Sequence, residues 1–254
     1  MDSEKGMLLR IERSSVVDGS GFRTVIFLKG CPLRCIWCST PESQSLAVEQ
    51  AEDKTYGRLV TVEDIMKEIR KDSCCYFTSG GGVTLSGGEI FAQPKFLKAL
   101  LHTIHDECYN TAVETSLYTP WETAKAALLY IDTAFVDLKI FDDELHKKYT
   151  GISNRTILSN LKNTNELKGS FRLIIRIPII PGINDSEENL EDSGRFCSGL
   201  KHLDHVQLLP YHRLGTETYK RLDREYALAD VKTPSAEHMS MCREIIGKFV
   251  PNVK

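Results

Sequence analysis

Cys31, Cys35 and Cys38 stand as C-x3-C-x2-C within the run GCPLRCIWC. A closed structural zinc site takes four protein ligands, and no His or further Cys lies nearby in the chain. The next cysteines are Cys74 and Cys75, then Cys108, Cys197 and Cys242, none of them in a pair spaced like a zinc knuckle. Three thiolates on one tight loop suit a cubane iron–sulfur cluster with one iron left open to another ligand, a vacancy that a four-Cys ferredoxin site would lack. The alternatives are three buried thiols, or a zinc site completed by a distant residue. Buried thiols alone do not explain this density of Cys on a predicted loop.

Such a loop needs elements to hold it. Thr24-Val25-Ile26-Phe27-Leu28 reads as a strand running directly into the cysteine segment. Residues 61–72 read as a helix, with Thr61 as N-cap, Asp64 completing a capping box, and Ile65 and Ile69 stacked at i, i+4. Gly82–Ser86 reads as a strand, and a helix over about 93–106 carries the stripe Phe96, Leu97, Leu100, Leu101 and Ile104. Thr111–Thr115 is a third strand. Thr119-Pro120-Trp121-Glu122 opens a helix, with Pro120 at N1 and Glu122 closing a capping box on Thr119. Thr133–Leu138 is a fourth strand, followed by helical segments at about 142–149 and 156–168. The strand Phe171–Ile177 is stopped by Pro178, a helix spans about 186–199, His205–Leu209 is a sixth strand, and Thr233-Pro234 opens a terminal helix through about 247. Residues 39–60 read as a loop excursion and 213–232 as a polar surface segment. Six strands separated by helices define an α/β chain with a parallel sheet, because each parallel crossover needs about a dozen residues. One domain is expected.

The composition fits an enzyme of this class. The chain has 254 residues, 32 Lys+Arg against 35 Asp+Glu, a net charge of −3, and 41% hydrophobic residues. That length fits two ordinary domains or one α/β barrel. The charge argues against a broad phosphate-binding surface, so no nucleic acid is expected. No apolar run approaches the roughly 18 residues needed to span a bilayer, and the first residues lack the build of a secretory signal. A cytoplasmic protein is expected, in which cysteines serve as metal ligands or buried thiols and not as disulfides.

Further residues could bind a small ligand at the strand ends. Gly87 and Gly88 permit close backbone approach and positive φ, and Glu89 beside them can accept from an ammonium group. Glu114 and Thr115 end one strand and Asp137 the next, an oxygen set suited to a small cation. The other reading, an Asp137–Lys139 ion pair, is the weaker one, since alternate strand residues share a face but need not pair. Arg176 is a charge in an otherwise Ile/Leu strand, where it needs a partner. His212 follows the last strand, at the end where barrel enzymes place their sites. Trp37 beside Cys38 is placed to exclude water.

The sequence resembles the radical S-adenosylmethionine superfamily through C-x3-C-x2-C after the first strand. DGSGFR (18–23), FLKGCPLRCIWCSTPES, SGGGVTLSGGE and LLPYH resemble, more narrowly, the activating enzymes of glycyl radical enzymes, over about residues 15–215. The resemblance implies a partial (β/α)6 TIM-like barrel with its core over about 15–250. It implies that Cys31, Cys35 and Cys38 hold one [4Fe-4S] cluster whose fourth iron is chelated by S-adenosylmethionine. One electron then cleaves the sulfonium C–S bond to methionine and a 5′-deoxyadenosyl radical, which takes a hydrogen atom from a glycine Cα of a partner protein. By the same resemblance Gly87, Gly88 and Glu89 bind the cofactor's amino group, Arg176 its carboxylate, and His212 lies near adenine and ribose. Trp37, Ser39, Ser116, Asp137, Leu138 and Lys139 complete the cofactor side. A monovalent cation is implied at Glu114, Thr115, Asp137 and the Phe135 carbonyl, and partner contact at Asp18 and Arg23. Ser20, Phe22, Glu114 and Leu117 depart from the residues commonly seen at these positions, Leu117 replacing a Gly.

Many relatives insert a ferredoxin-like module with further Cys-rich motifs after the first cluster. Residues 39–73 here contain no Cys, so one cluster is expected, as in the compact pyruvate formate-lyase activating enzymes. CIWCSTPES is closer to activases of other glycyl radical enzymes. The implied partners are a glycyl radical enzyme and a flavodoxin or ferredoxin as electron donor, with the activase a monomer in an anaerobic cytoplasm. The rival functions are a radical S-adenosylmethionine enzyme acting on a small molecule, a ribonucleotide reductase activase, or a non-enzymatic iron–sulfur or zinc scaffold. A scaffold would need no glycine-rich or carboxylate strand ends.

Overall fold

The computed structural model describes residues 4–51, 54–169 and 171–254, so residues 52 and 53 of the expected excursion over 39–60 lie outside the described residues. The chain packs as two units. The first takes the chain up to Pro32, then Thr40–Thr115 and Pro120–Ala134; the second takes Leu33–Ser39, Ser116–Thr119 and Phe135–Lys254.

In the first unit the elements are β1 (Lys5–Ser15), β2 (Arg23–Leu28), the short ribbon β3 (Glu49–Gln50) and β4 (Thr55–Tyr56), β5 (Arg58–Thr61), α1 (Val62–Arg70), α2 (Ser73–Ser79), β6 (Gly82–Gly87), α3 (Pro94–Asp106), β7 (Asn110–Thr115) and α4 (Trp121–Leu128). The main strands run in the order β5-β1-β2-β6-β7. β2, β6 and β7 are parallel, whereas β1 is antiparallel to both β2 and β5. The α1 capping box forms as expected, Thr61 Oγ1 accepting from Asp64 N at 3.2 Å and Asp64 Oδ2 accepting from Thr61 N at 3.0 Å. All five expected stripe residues of α3 are buried.

The start of α4 differs from expectation. Pro120 is the cap, with ψ 138°, so the first helical residue is Trp121 and no Thr119–Glu122 box forms. Thr119 is held instead in the preceding turn, its N–H donating to the Leu117 carbonyl at 2.9 Å.

Strand β8 (Thr133–Asp137) starts in the first unit and ends in the second. The second unit continues with α5 (Asp143–Thr150), α6 (Arg155–Asn163), β9 (Arg172–Ile179), α7 (Glu187–Ser198), β10 (Leu203–Pro210), α8 (Thr216–Arg221) and α9 (Ala236–Gly247). β9 and β10 are parallel, with Arg176 opposite Gln207 and Pro178 opposite Leu209. β9 therefore runs through Pro178, which was expected to stop it, and the Pro178 carbonyl accepts from Asn184 Nδ2. The expected polar segment 213–232 carries α8. Among the described residues no helix is long and apolar enough to cross a membrane.

Candidate functional site

Cys31 follows the end of β2 in the first unit, partly exposed. Its backbone is fixed against the Pro41–Ser43 turn: Gly30 N donates to Ser43 O at 2.7 Å and Cys31 N to Gln44 O at 3.0 Å. The segment after β6 closes on the same stretch, with Gly88 N donating to Leu28 O at 3.0 Å and Glu89 N to Gly30 O at 2.7 Å. A Cβ on Gly87, where φ is +118°, would lie 2.1 Å from Leu28 O, and one on Gly88 2.3 Å from Gly30 O. The close approach these glycines permit is thus to the chain leading into Cys31, not to open space.

Carboxylates and hydroxyls alternate at the ends of β6 and β7. Glu89 is 2% exposed, and its Oε1 accepts from Thr115 Oγ1 at 2.5 Å and from Phe91 N at 3.3 Å. Ser86 Oγ donates to Glu114 Oε2 at 2.6 Å.

In the second unit Cys35 is buried and Cys38 partly exposed. Their segment leans on the end of α5, Arg34 N donating to Thr150 O at 2.7 Å and Ile36 N to Tyr149 O at 3.1 Å. Inside that end His146 is buried; its Nδ1–H donates to Ile152 O at 2.7 Å, and burial holds its pKa below the ordinary 6.5. Trp37 is buried and Ser39 exposed, and Gly215 passes so close that its Cβ would lie 2.7 Å from Ser39 O. Ser116 is buried. Leu117 takes φ +58°, which explains why glycine suits this position, and Asn160 Nδ2 donates to the Leu117 and Thr119 carbonyls at 2.8 and 2.7 Å.

Asp137 and Lys139 do pair, at 2.6 Å. The ion pair, the weaker of the two sequence readings, is therefore present. Phe135 lies under the Arg176 guanidinium at 4.0 Å, and Arg176 Nε donates to Gln207 Oε1 at 2.9 Å. Leu138 is buried, its N–H donating to Arg176 O at 2.9 Å. His212 is exposed at the end of β10, with Nδ1 accepting from Leu214 N at 3.4 Å.

Asp18 and Arg23 stand before and at the start of β2 in the first unit. Arg23 is 1% exposed and opens β2, the far end from Cys31, so about 16 Å of strand separates it from the cysteine segment. Its guanidinium donates to Thr84 Oγ1 and Val83 O at 2.6 Å, Asn110 Oδ1 at 3.0 Å, and Ser20 O and Asn110 O at 3.2 Å. Burial brings its pKa down to about 10. In this structure Arg23 thus clamps the starts of β2, β6 and β7 together. The Asp18 side chain accepts from Ser15 Oγ, and its carbonyl from Thr84 Oγ1 at 2.7 Å.

Of the other cysteines, Cys74, Cys75 and Cys108 are exposed, and burial raises the thiol pKa of Cys242 and brings that of Cys197 up to about 12. Among the described residues no three His, Cys, Asp or Glu side chains converge as a single metal ion would require. The sequence reading missed Asn160, Asn184 and Gln207. Asn160 carried a signal, a polar residue inside the buried stripe Ile157, Asn160, Leu161 of α6.

A model of the radical SAM superfamily matches residues 25–193. The chain is 38% identical to the isethionate sulfite-lyase activating enzyme of Oleidesulfovibrio alaskensis, over 89% of this chain and 90% of that one. It is 36% identical to the (2S)-3-sulfopropanediol dehydratase activating enzyme of Klebsiella oxytoca, over 91% and 89%. A domain of a pyruvate-formate lyase-activating enzyme from Bacteroides vulgatus superposes with a TM-score of 0.57 at 30% identity, covering 68% of this chain and 98% of that domain. The chain belongs to the radical SAM superfamily, whose members use a [4Fe-4S] cluster and S-adenosylmethionine, and within it to the activating enzymes of glycyl radical enzymes.

Proposed function

We propose that Cys31, Cys35 and Cys38 hold a single [4Fe-4S] cluster and that the chain activates a glycyl radical enzyme. The observation that carries this is the donor set: three thiols within eight residues, outside any disulfide, with backbone hydrogen bonds fixing the segment at Cys31, Arg34 and Ile36. Three thiolates fit three irons and leave the fourth open for the amino acid end of S-adenosylmethionine. When bound, the cluster supplies the electron that cleaves S-adenosylmethionine, and the adenosyl fragment takes a hydrogen atom from the partner's glycine.

The protein's own groups bind, orient and exclude water. Glu89, buried and oriented by Thr115, accepts from the cofactor ammonium; Arg176, steadied by Phe135 and Gln207, takes its carboxylate. Ser39, Ser116, Leu138, Lys139 and His212 line the cofactor, and Trp37 keeps water from the cluster. A monovalent cation at Glu114, Thr115, the Phe135 carbonyl and Asp137 belongs to the same reading, with Asp137 also paired to Lys139.

The reading further takes the chain as one radical SAM domain without a ferredoxin-like module. The alignment with the O. alaskensis enzyme supports this: it runs over 279 positions yet uses 89% of the 254 residues, about 226, which leaves about 53 positions of the relative unmatched. The protein acts as a monomer in an anaerobic cytoplasm and draws electrons from a flavodoxin or ferredoxin. Isethionate sulfite-lyase is the first partner to try. Anaerobic reconstitution tests the proposal: about four irons per chain and dithionite-driven S-adenosylmethionine cleavage are expected, and stoichiometric zinc without iron would overturn it.

A further inference from the structure

We infer that Lys29 is a positioning residue that holds the Cys31 turn and, through its ion pair with Glu49, sets the reduction potential of the cluster. The inference rests on the reading that Cys31 is a cluster ligand.

Lys29 lies two residues before Cys31 and is fully buried. A buried ammonium is costly unless it is paired and hydrogen-bonded. Its Nζ donates to the Glu42 carbonyl and to Glu49 Oε2, the latter at 3.1 Å. Glu42 is the middle residue of the Pro41–Ser43 turn, whose Ser43 carbonyl receives Gly30 N and whose following residue, Gln44, receives Cys31 N. One ammonium thus fixes the turn that fixes the cysteine. The Lys29 backbone is anchored as well, its N–H donating to Met7 O at 3.0 Å and its carbonyl accepting from Gln93 Nε2 at 2.8 Å.

The neighbouring chain makes room for this side chain. The ribbon of β3 and β4 pairs Glu49 with Tyr56, which brings Glu49 and Gly57 to Lys29. Gly57 has φ +104°, and a Cβ there would lie 2.5 Å from the Lys29 Cδ. A hydrophobic residue at position 29 could fill the same space, but it could not satisfy the Glu42 carbonyl or neutralise Glu49. Lys29 is fully buried and Glu49 is 18% exposed, so both charges are weakly screened by solvent at the base of the Cys31 turn.

The two halves of the pair have opposite signs, which separates tuning from simple support. In the reconstituted holoprotein, Lys29→Met removes a positive charge and lowers the cluster's midpoint potential, measured by EPR-monitored redox titration. Glu49→Gln removes a negative charge and raises it. The double variant returns close to wild type. Shifts of the same sign, or no shift in Glu49→Gln, would overturn the tuning role. In the apoprotein, at a pH alkaline enough that the thiols of both proteins are ionised, Lys29→Met speeds iodoacetamide alkylation of Cys31 about tenfold or more, as loss of a charge-assisted hydrogen bond would, with exposed Cys75 as the internal reference and Lys29→Arg largely restoring the slow rate. An unchanged Cys31 rate would overturn the holding role. If the wild-type protein takes up no iron, the functional reading fails, and the alkylation result alone decides whether Lys29 holds the turn. Should Lys29→Met not fold, Glu49→Gln still decides the tuning role, and Lys29→Gln, which also lacks the charge, replaces it in the alkylation.

Discussion

At the N-terminal ends of β2, β6 and β7, one guanidinium gathers the side chains of Thr84 and Asn110 and the carbonyls of Ser20, Val83 and Asn110. At the C-terminal ends of the same strands, the carboxylates of Glu89 and Glu114 accept from the hydroxyls of Thr115 and Ser86. The first arrangement is a closed clamp in which a cation is enclosed by acceptors. The second concentrates anionic oxygen beside the turn that carries Cys31. Both ends carry a glycine-containing motif with a charged residue, DGSGFR and SGGE, and the motifs alone do not distinguish them. What distinguishes them is which partners the fold brings to each charge.

The sharpest test of this contrast is loss of the thiols. Cys31→Ala, Cys35→Ala or Cys38→Ala should each abolish cluster uptake and S-adenosylmethionine cleavage, whereas Cys108→Ala and Cys242→Ala should leave both intact; iron analysis and product chromatography read the result. Equal loss from all five would break the assignment.

Next come paired substitutions at the two ends. Arg23→Leu strands several buried acceptors and should cost about 3 kcal/mol or more of stability by urea denaturation, while the folded fraction keeps its affinity for S-adenosylmethionine. Glu89→Gln should do the reverse, weakening cofactor binding by about tenfold or more, equivalent to about 1.4 kcal/mol, with little change in the urea midpoint. If Arg23→Leu lost cofactor affinity in step with Glu89→Gln, the two ends would not differ in function.

In the second unit the buried His146 gives a pH-dependent comparison. Its folded pKa lies below 6.5 because burial disfavours the imidazolium. Its contribution is therefore complete above about pH 6.5 and is lost as pH falls through the folded pKa, since the unfolded chain then binds the extra proton. Thermal unfolding should show stability dropping over that acidic window, and His146→Gln should flatten the drop. The smallest effect is expected at Leu117. With φ +58°, Leu117→Gly should be more stable than Leu117→Ala by about 1 kcal/mol, because both lose the buried side chain and only glycine escapes the left-handed strain.

The sequence reading reached the cysteine motif, the strands β2, β6, β7, β8, β9 and β10, the α1 capping box and the α3 stripe, since each depends on residues close together in the chain. It missed β1 and β5 because they join the sheet antiparallel to their neighbours, and β1 places Arg10, Glu12 and Arg13 in a single strand. The turn over Ser116–Thr119 is held by Asn160, about forty residues on, a contact that no local pattern announces. Lys29 looks like an ordinary flanking charge until Glu49 is brought to it, and nothing local to Arg23 announces Thr84 and Asn110. The pairing of Asp137 with Lys139 is the weaker sequence reading because strand periodicity fixes a shared face but not a contact; at 2.6 Å the contact is made.

The most direct test of the activase assignment follows one hydrogen atom. The reconstituted protein is incubated with reductant, S-adenosylmethionine and a glycyl radical enzyme whose glycines are deuterated at Cα. The account predicts a glycine-centred EPR signal on the partner and 5′-deoxyadenosine carrying one deuterium. Undeuterated 5′-deoxyadenosine with no signal on the partner would contradict it.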